Sequence, residues 1–121
     1  MATQEELREA LDDYVVQAQK SQRVTRSLRN WNCTIYFEAT DIQAAFTMTI
    51  KESQTTIHDG QYEQPDLIVR GSSEDLVNIF WCDVNPASNY MQGAVKIQGS
   101  QDNVMRLDAM ALLVYMEVNK S

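Results

Sequence analysis

Between Leu7 and Ala18, apolar side chains recur three and four residues apart: Leu7, Ala10, Leu11, Tyr14, Val15 and Ala18. That spacing places them on one side of a 3.6-residue helix, with Glu5, Glu6, Glu9, Asp12 and Asp13 turned away. Thr3 opens the helix, and Glu6 three positions on completes a capping box. A short second helix is predicted over 21–30, Val24 and Leu28 inward and the arginines outward. The period then drops to two. Cys33, Ile35, Phe37 and Ala39 form one face of a strand, and Phe46, Met48 and Ile50 alternate with Thr47, Thr49 and Lys51 in the next. One apolar and one polar face is the pattern of a half-covered antiparallel strand.

A weaker strand is predicted over 53–59 around Ile57, closing at Asp59-Gly60, and a fourth over 67–70 after Pro65. The first three are joined by short connections and imply a meander. Gly71-Ser72-Ser73 ends the fourth strand and caps a helix through Leu76, Val77, Ile79, Phe80 and Trp81. Pro86 suits the first turn of a short helix reaching Met91. A fifth strand follows over 94–98, and Ser100 caps a last helix over 102–118. Helices and strands in this order predict an α+β fold, and 121 residues make one domain, 1–121.

Charge removes several functions. Ten basic against seventeen acidic residues give a net charge of −7. Nucleic-acid binding draws its affinity from neutralised phosphates, so no nucleic-acid partner is expected. One local exception stands out: from Lys20 to Arg29 every charge is positive, at Lys20, Arg23, Arg26 and Arg29. This run reads as a solvated helix face or as a transient contact with an anionic membrane. Cys33 and Cys82 are far apart and belong to no CxxC, so neither a metal site nor a disulfide scaffold is expected. The N-terminus lacks the basic start and apolar core of a signal peptide, and no run is long enough to span a membrane. A cytoplasmic protein is expected.

Catalytic chemistry finds little support. His58 is the one histidine, and although Asp59 adjoins it, neighbours on a strand point to opposite faces. No Ser or Cys sits in a nucleophile-elbow context, and no phosphate-loop, dinucleotide or metalloprotease motif occurs. No catalytic residue, cofactor or metal is expected. The unusual feature is apolar. In the last helix Val104, Leu107, Ala111, Val114, Tyr115 and Val118 suffice for one stripe, yet Met105, Met110, Leu112, Leu113 and Met116 lie outside it. So wide an apolar surface must be covered by a core, a partner chain or a ligand.

Two segments carry a resemblance. Asp66-Leu67-Ile68-Val69-Arg70-Gly71-Ser72-Ser73-Glu74-Asp75-Leu76 resembles the strand-to-helix segment of the sterol carrier protein 2 (SCP-2) domain family. Asn85-Pro86, then Tyr90-Met91-Gln92-Gly93-Ala94-Val95-Lys96-Ile97-Gln98-Gly99, resembles its Asn-Pro, Met-Gln-Gly and Lys-Ile/Val-x-Gly series. The first half of the chain matches only by its order of elements. The resemblance implies a five-stranded, mostly antiparallel sheet with helices packed on one face, and an apolar tunnel between them. It implies non-catalytic binding, a basis for intracellular transfer, of a fatty acid, fatty acyl-CoA, sterol-like molecule or phospholipid. Gln92 then lies near the cavity and Met91 on its wall. Phe46, Met48, Leu76, Phe80, Leu112, Leu113 and Met116 are the further lining candidates, though each also suits an ordinary core. The alternative is a dimerisation or interaction module of the same fold, a homodimer covering the last helix.

Overall fold

Helices begin where the sequence supplies an oxygen for their unpaired N–H groups. The Thr3 hydroxyl accepts from the Glu6 N–H at 3.1 Å, and the Glu6 carboxylate accepts from the Thr3 N–H at 3.3 Å. The expected capping box therefore starts α1 (Gln4–Lys20). Ser21, Ser72 and Ser100 cap α2 (Gln22–Ser27), α3 (Ser73–Phe80) and α4 (Gln101–Val118). The computed structural model describes residues 1–60, 64–87 and 93–120. Of the short helix expected from Pro86 to Met91, residues 88–91 lie outside them.

Strands β1 (Cys33–Ala39), β2 (Ala44–Lys51), β3 (Gln54–Asp59), β4 (Leu67–Gly71) and β5 (Val95–Gly99) form one sheet in the order β3-β2-β1-β4-β5. The first three are the expected meander. β4 then lies parallel to β1, and β5 closes the edge antiparallel to β4. The sheet is therefore mostly antiparallel with one parallel pair. Its register lines up the apolar positions: Ile35 stands between Met48 and Leu67, and Phe37 between Phe46 and Val69. A slip of one residue would turn that whole set to the opposite face, so burial fixes the pairing.

The helices cover this face. Leu7, Leu11 and Tyr14 of α1, Val24 of α2, Leu76 and Phe80 of α3, and Leu107, Met110 and Val114 of α4 join the sheet's inward residues in one core. The outer face is polar, with Arg70 of β4 donating to the Glu38 carboxylate of β1 at 2.9 Å. The start of α3 is fixed by the β1–β2 turn, where the Asp41 carboxylate accepts from both the N–H and the hydroxyl of Ser73, each at 2.9 Å. Those bonds hold the Asp41 carboxyl below its ordinary pKa.

Both cysteines are buried and free. Burial pushes the Cys33 thiol up to about 12 and the Cys82 thiol to about 11, so neither forms thiolate at neutral pH. Alkylation of the native protein, followed by intact mass, is expected to leave both unmodified, and denaturant to expose both. Rapid modification of either without denaturant would contradict the packing around it.

Candidate functional site

Seven elements converge on an apolar hollow between sheet and helices. Tyr14 enters from α1, and Leu76, Ile79 and Phe80 from α3. Phe37, Met48, Val69 and Val95 rise from four strands, and Leu107 and Ala111 come from α4. The alternation of the strands and the three-four spacing of the helices aim these side chains at one place. The hollow measures about 20 Å³, room for roughly one water-sized sphere. An aromatic cluster fills the rest. The Phe80 ring meets Phe37 edge-on at 5.1 Å and Tyr14 at 5.5 Å between centroids. Among the described residues the hollow is therefore smaller than an acyl chain, and the Phe80 ring stands on its wall.

Of the expected lining residues, Met48, Leu76 and Phe80 meet at this hollow. Phe46 is fully buried but lies apart, at the floor of an open groove of about 830 Å³ beside Arg8, Asp12 and Asp59. Charged side chains border that groove, Arg8 being ion-paired with both Asp12 and Asp59. Leu112 and Met116 stay on the outside of α4, with Leu113 half-buried. Met91 and Gln92 lie outside the described residues. Tyr14, Phe37, Val69, Ile79, Val95, Leu107 and Ala111 were not singled out, because each reads in sequence as one more member of a buried stripe.

Polar contacts hold α4 over the hollow at both ends. Near its start, the Arg106 guanidinium donates to the Ser27 and Arg29 carbonyls at 3.1 and 2.9 Å and lies 5.2 Å from the centre of the Trp31 ring. The Trp31 indole N–H donates to Asn103 at 2.9 Å. At its far end the Asn119 side-chain amide donates to the Cys82 carbonyl at 3.0 Å. Between these clamps, Leu107, Met110, Ala111 and Val114 face inward. Asp108 sits beside Pro86, Ala87 and Leu112 at a separate cavity of about 150 Å³, and burial raises its carboxyl pKa.

Catalytic groups are not brought together at the hollow. The β2–β3 register sets His58 beside Thr47 on the outer face and Asp59 beside Phe46 on the inner one. Among the described residues there is no cluster of metal-ligating side chains, and no helix is long and apolar enough to cross a membrane.

No curated protein sequence matches this chain. The fold is shared with solved structures of low identity. The sterol carrier protein domain 2 of Helicoverpa armigera is similar at 18% identity over 91% of this chain and 88% of that one, with a TM-score of 0.75. A UbiJ-SCP2 ubiquinone synthesis protein matches at 13% identity over 89% and 94%, TM-score 0.70. The palmitated SCP2L2 of Aedes aegypti matches at 13% over 84% and 90%, TM-score 0.66. The profile of the SCP-2 sterol transfer family matches residues 14–111, from the tyrosine at the hollow to the alanine of α4 that closes it. The chain therefore belongs to the SCP-2 sterol transfer family.

Proposed function

We propose that this protein binds a long apolar molecule between its sheet and helices α3 and α4, and carries it without changing it chemically. The observation that carries the reading is the convergence of seven elements on one hollow whose lining is apolar apart from Tyr14. Water gains few hydrogen bonds in such a place, whereas hydrocarbon loses nothing by entering. The candidate ligands are a fatty acid, a fatty acyl-CoA, a sterol-like molecule or a phospholipid. That an Aedes aegypti member was solved in palmitated form supports the class.

Loading requires Phe80 to leave its aromatic contacts. Two edge-on pairs contribute about 1–3 kcal/mol together, at roughly 0.5–1.5 each. About ten buried methylenes contribute roughly 8 kcal/mol in return, so an acyl chain can displace the ring where a small molecule cannot. Such a site orders its ligands by hydrophobic length and separates neighbouring chain lengths poorly. Access follows the sliding or lifting of α4 between its clamps. Gln92, by its place in the Met-Gln-Gly motif, is assigned to the polar end of the ligand, and Met91 to the wall.

Native mass spectrometry after gentle purification is expected to show a co-purified acyl or sterol-like mass. A fluorescent fatty acid should bind at micromolar protein and be displaced by unlabelled palmitate. Absence of both signals would rule the reading out.

A further inference from the structure

On α4, Leu107 and Ala111 line the apolar hollow, and Asp108 and Leu112 follow each of them by one residue. One step along an α-helix turns about 100°, so the second pair is rotated to the side of the hollow, toward Pro86 and Ala87. The separate cavity of about 150 Å³ lies there. Pro86 is buried, whereas Ala87 and Leu112 are exposed, so the cavity is reached from solvent past them.

Three of its four lining residues are apolar, and the fourth is a carboxylate without a partner. Asp108 is half-buried, its Oδ1 is closed off from solvent, and that oxygen accepts no hydrogen bond among the described residues. The donors around it are committed elsewhere. Pro86 has no N–H, and the Ala87 N–H donates to the Asn85 side chain at 3.0 Å. Arg106, two residues back on α4, has its guanidinium on the Ser27 and Arg29 carbonyls. Burial raises the Asp108 carboxyl pKa, and no neighbouring cation offsets it. Water answers only part of this: an ordered water takes roughly two to four polar partners, and beside Asp108 the lining side chains offer none.

We propose that this cavity binds a small organic cation, a primary alkylammonium whose N–H groups donate to Asp108 and whose carbon chain lies against Pro86, Ala87 and Leu112. The ammonium supplies both the donor and the opposite charge that Oδ1 lacks, and a charge-assisted bond is roughly twice as strong as a neutral one. A cavity of this volume is filled by about six carbons, the size of a benzene ring. A carboxylate-headed molecule of the same length is refused, because it brings a like charge and no donor. The net charge of −7 attracts cations generally, but the exposed Glu5, Glu9 and Asp12 of α1 have no such apolar wall beside an unpaired oxygen. The site is distinct from the hollow and does not depend on a lipid entering there.

Amide NMR shifts under titration with hexylammonium, hexanol and hexanoate test it. Hexylammonium should move the Ala87, Asp108 and Leu112 amides saturably, hexanol should bind roughly tenfold more weakly, and hexanoate should leave them unmoved. Asp108→Asn removes an unpaired buried charge, so it should melt no lower than the wild type, weaken hexylammonium roughly tenfold and spare hexanol. Leu112→Trp, at an exposed helix position, should close the cavity to both and checks the location independently. Equal binding of amine and alcohol, unaltered amine binding by Asp108→Asn, or shifts confined to the exposed carboxylates of α1 overturn the proposal. So does a crystal structure grown with hexylammonium that shows water alone on Asp108. Saturation with palmitate should leave the amine shifts in place; their loss would put the amine in the hollow and overturn the separate site. Failed displacement of the fluorescent fatty acid with intact amine shifts refutes the carrier reading alone, and the converse refutes the amine site alone.

Discussion

Phe80→Ala should weaken the fold and improve ligand binding at the same time. Phe80 is 3% exposed, packs edge-on against Phe37 and Tyr14, and occupies the space between β1, α1 and α3. Truncating a buried phenylalanine costs about 3–5 kcal/mol, because transfer energy is lost and the surroundings collapse only in part. The neighbouring hollow cannot absorb that loss, since Leu76, Val69 and Leu107 are held by separate elements. The remaining void is dry and apolar, which is the condition under which hydrocarbon binds. Urea unfolding should therefore show a lower midpoint with little change in slope. A fluorescent fatty acid should bind more tightly than to the wild type under native conditions, and its addition should restore part of the lost stability. A variant that is destabilised yet binds the probe more weakly would place the ligand elsewhere.

Gly99→Ala should be the most damaging single-methyl change in the sheet. A Cβ at position 99 would stand 2.8 Å from the Asp66 carbonyl oxygen and would collide with the Leu67 side chain. The carbonyl belongs to the backbone and cannot swing aside as a flexible side chain can. The φ of +157° is also one that L side chains rarely adopt. Overpacking of this kind costs about 1–3 kcal/mol, and the strain falls on the β4–β5 pair, where Gly99 faces Leu67. Because β5 carries Val95 into the lining of the hollow, ligand binding should fall with stability. Gly60→Ala is the comparison: its φ is +73°, but no atom lies within 4 Å of its added Cβ. Thermal melts of the two variants decide the matter. If Gly99→Ala melts no lower than Gly60→Ala, the close approach is not what holds a glycine there.

The last glycine of the Lys96-Ile97-Gln98-Gly99 series illustrates how motif and geometry meet. In sequence it belongs to a resemblance; in the structure it is the place where β5 passes too near Asp66 for any side chain. The β2–β3 turn shows the opposite case. Glu52 and Ser53 both adopt positive φ, 53° and 64°, where glycine or asparagine is the usual choice. No turn residue advertised it, and the strand expected to begin at Ser53 begins at Gln54.

Local chemistry was sufficient for the elements themselves. Thr3, Ser72 and Ser100 mark helix starts because an unpaired N–H needs an oxygen, and the alternation at 33–39 and 44–51 marks strands because the pleat has a period of two. The inner stripe of α1 was legible for the same reason. In α4 the unbroken apolar run hid the division: Met110 is buried, while Val118, expected inward, is 39% exposed. Periodicity identifies how wide a stripe is, but which edge of it is covered depends on where α2 crosses. The parallel partnership of β1 with β4 and the meeting of Phe80 with Phe37 and Tyr14 depend on contacts distant in sequence. By itself the sequence determined the elements and, outside α4, most of the side chains that face inward along them. Only the tertiary structure decided which of them touch, because that follows from how elements far apart in the chain cross, and it brought the Phe80 ring to the hollow between sheet and helices.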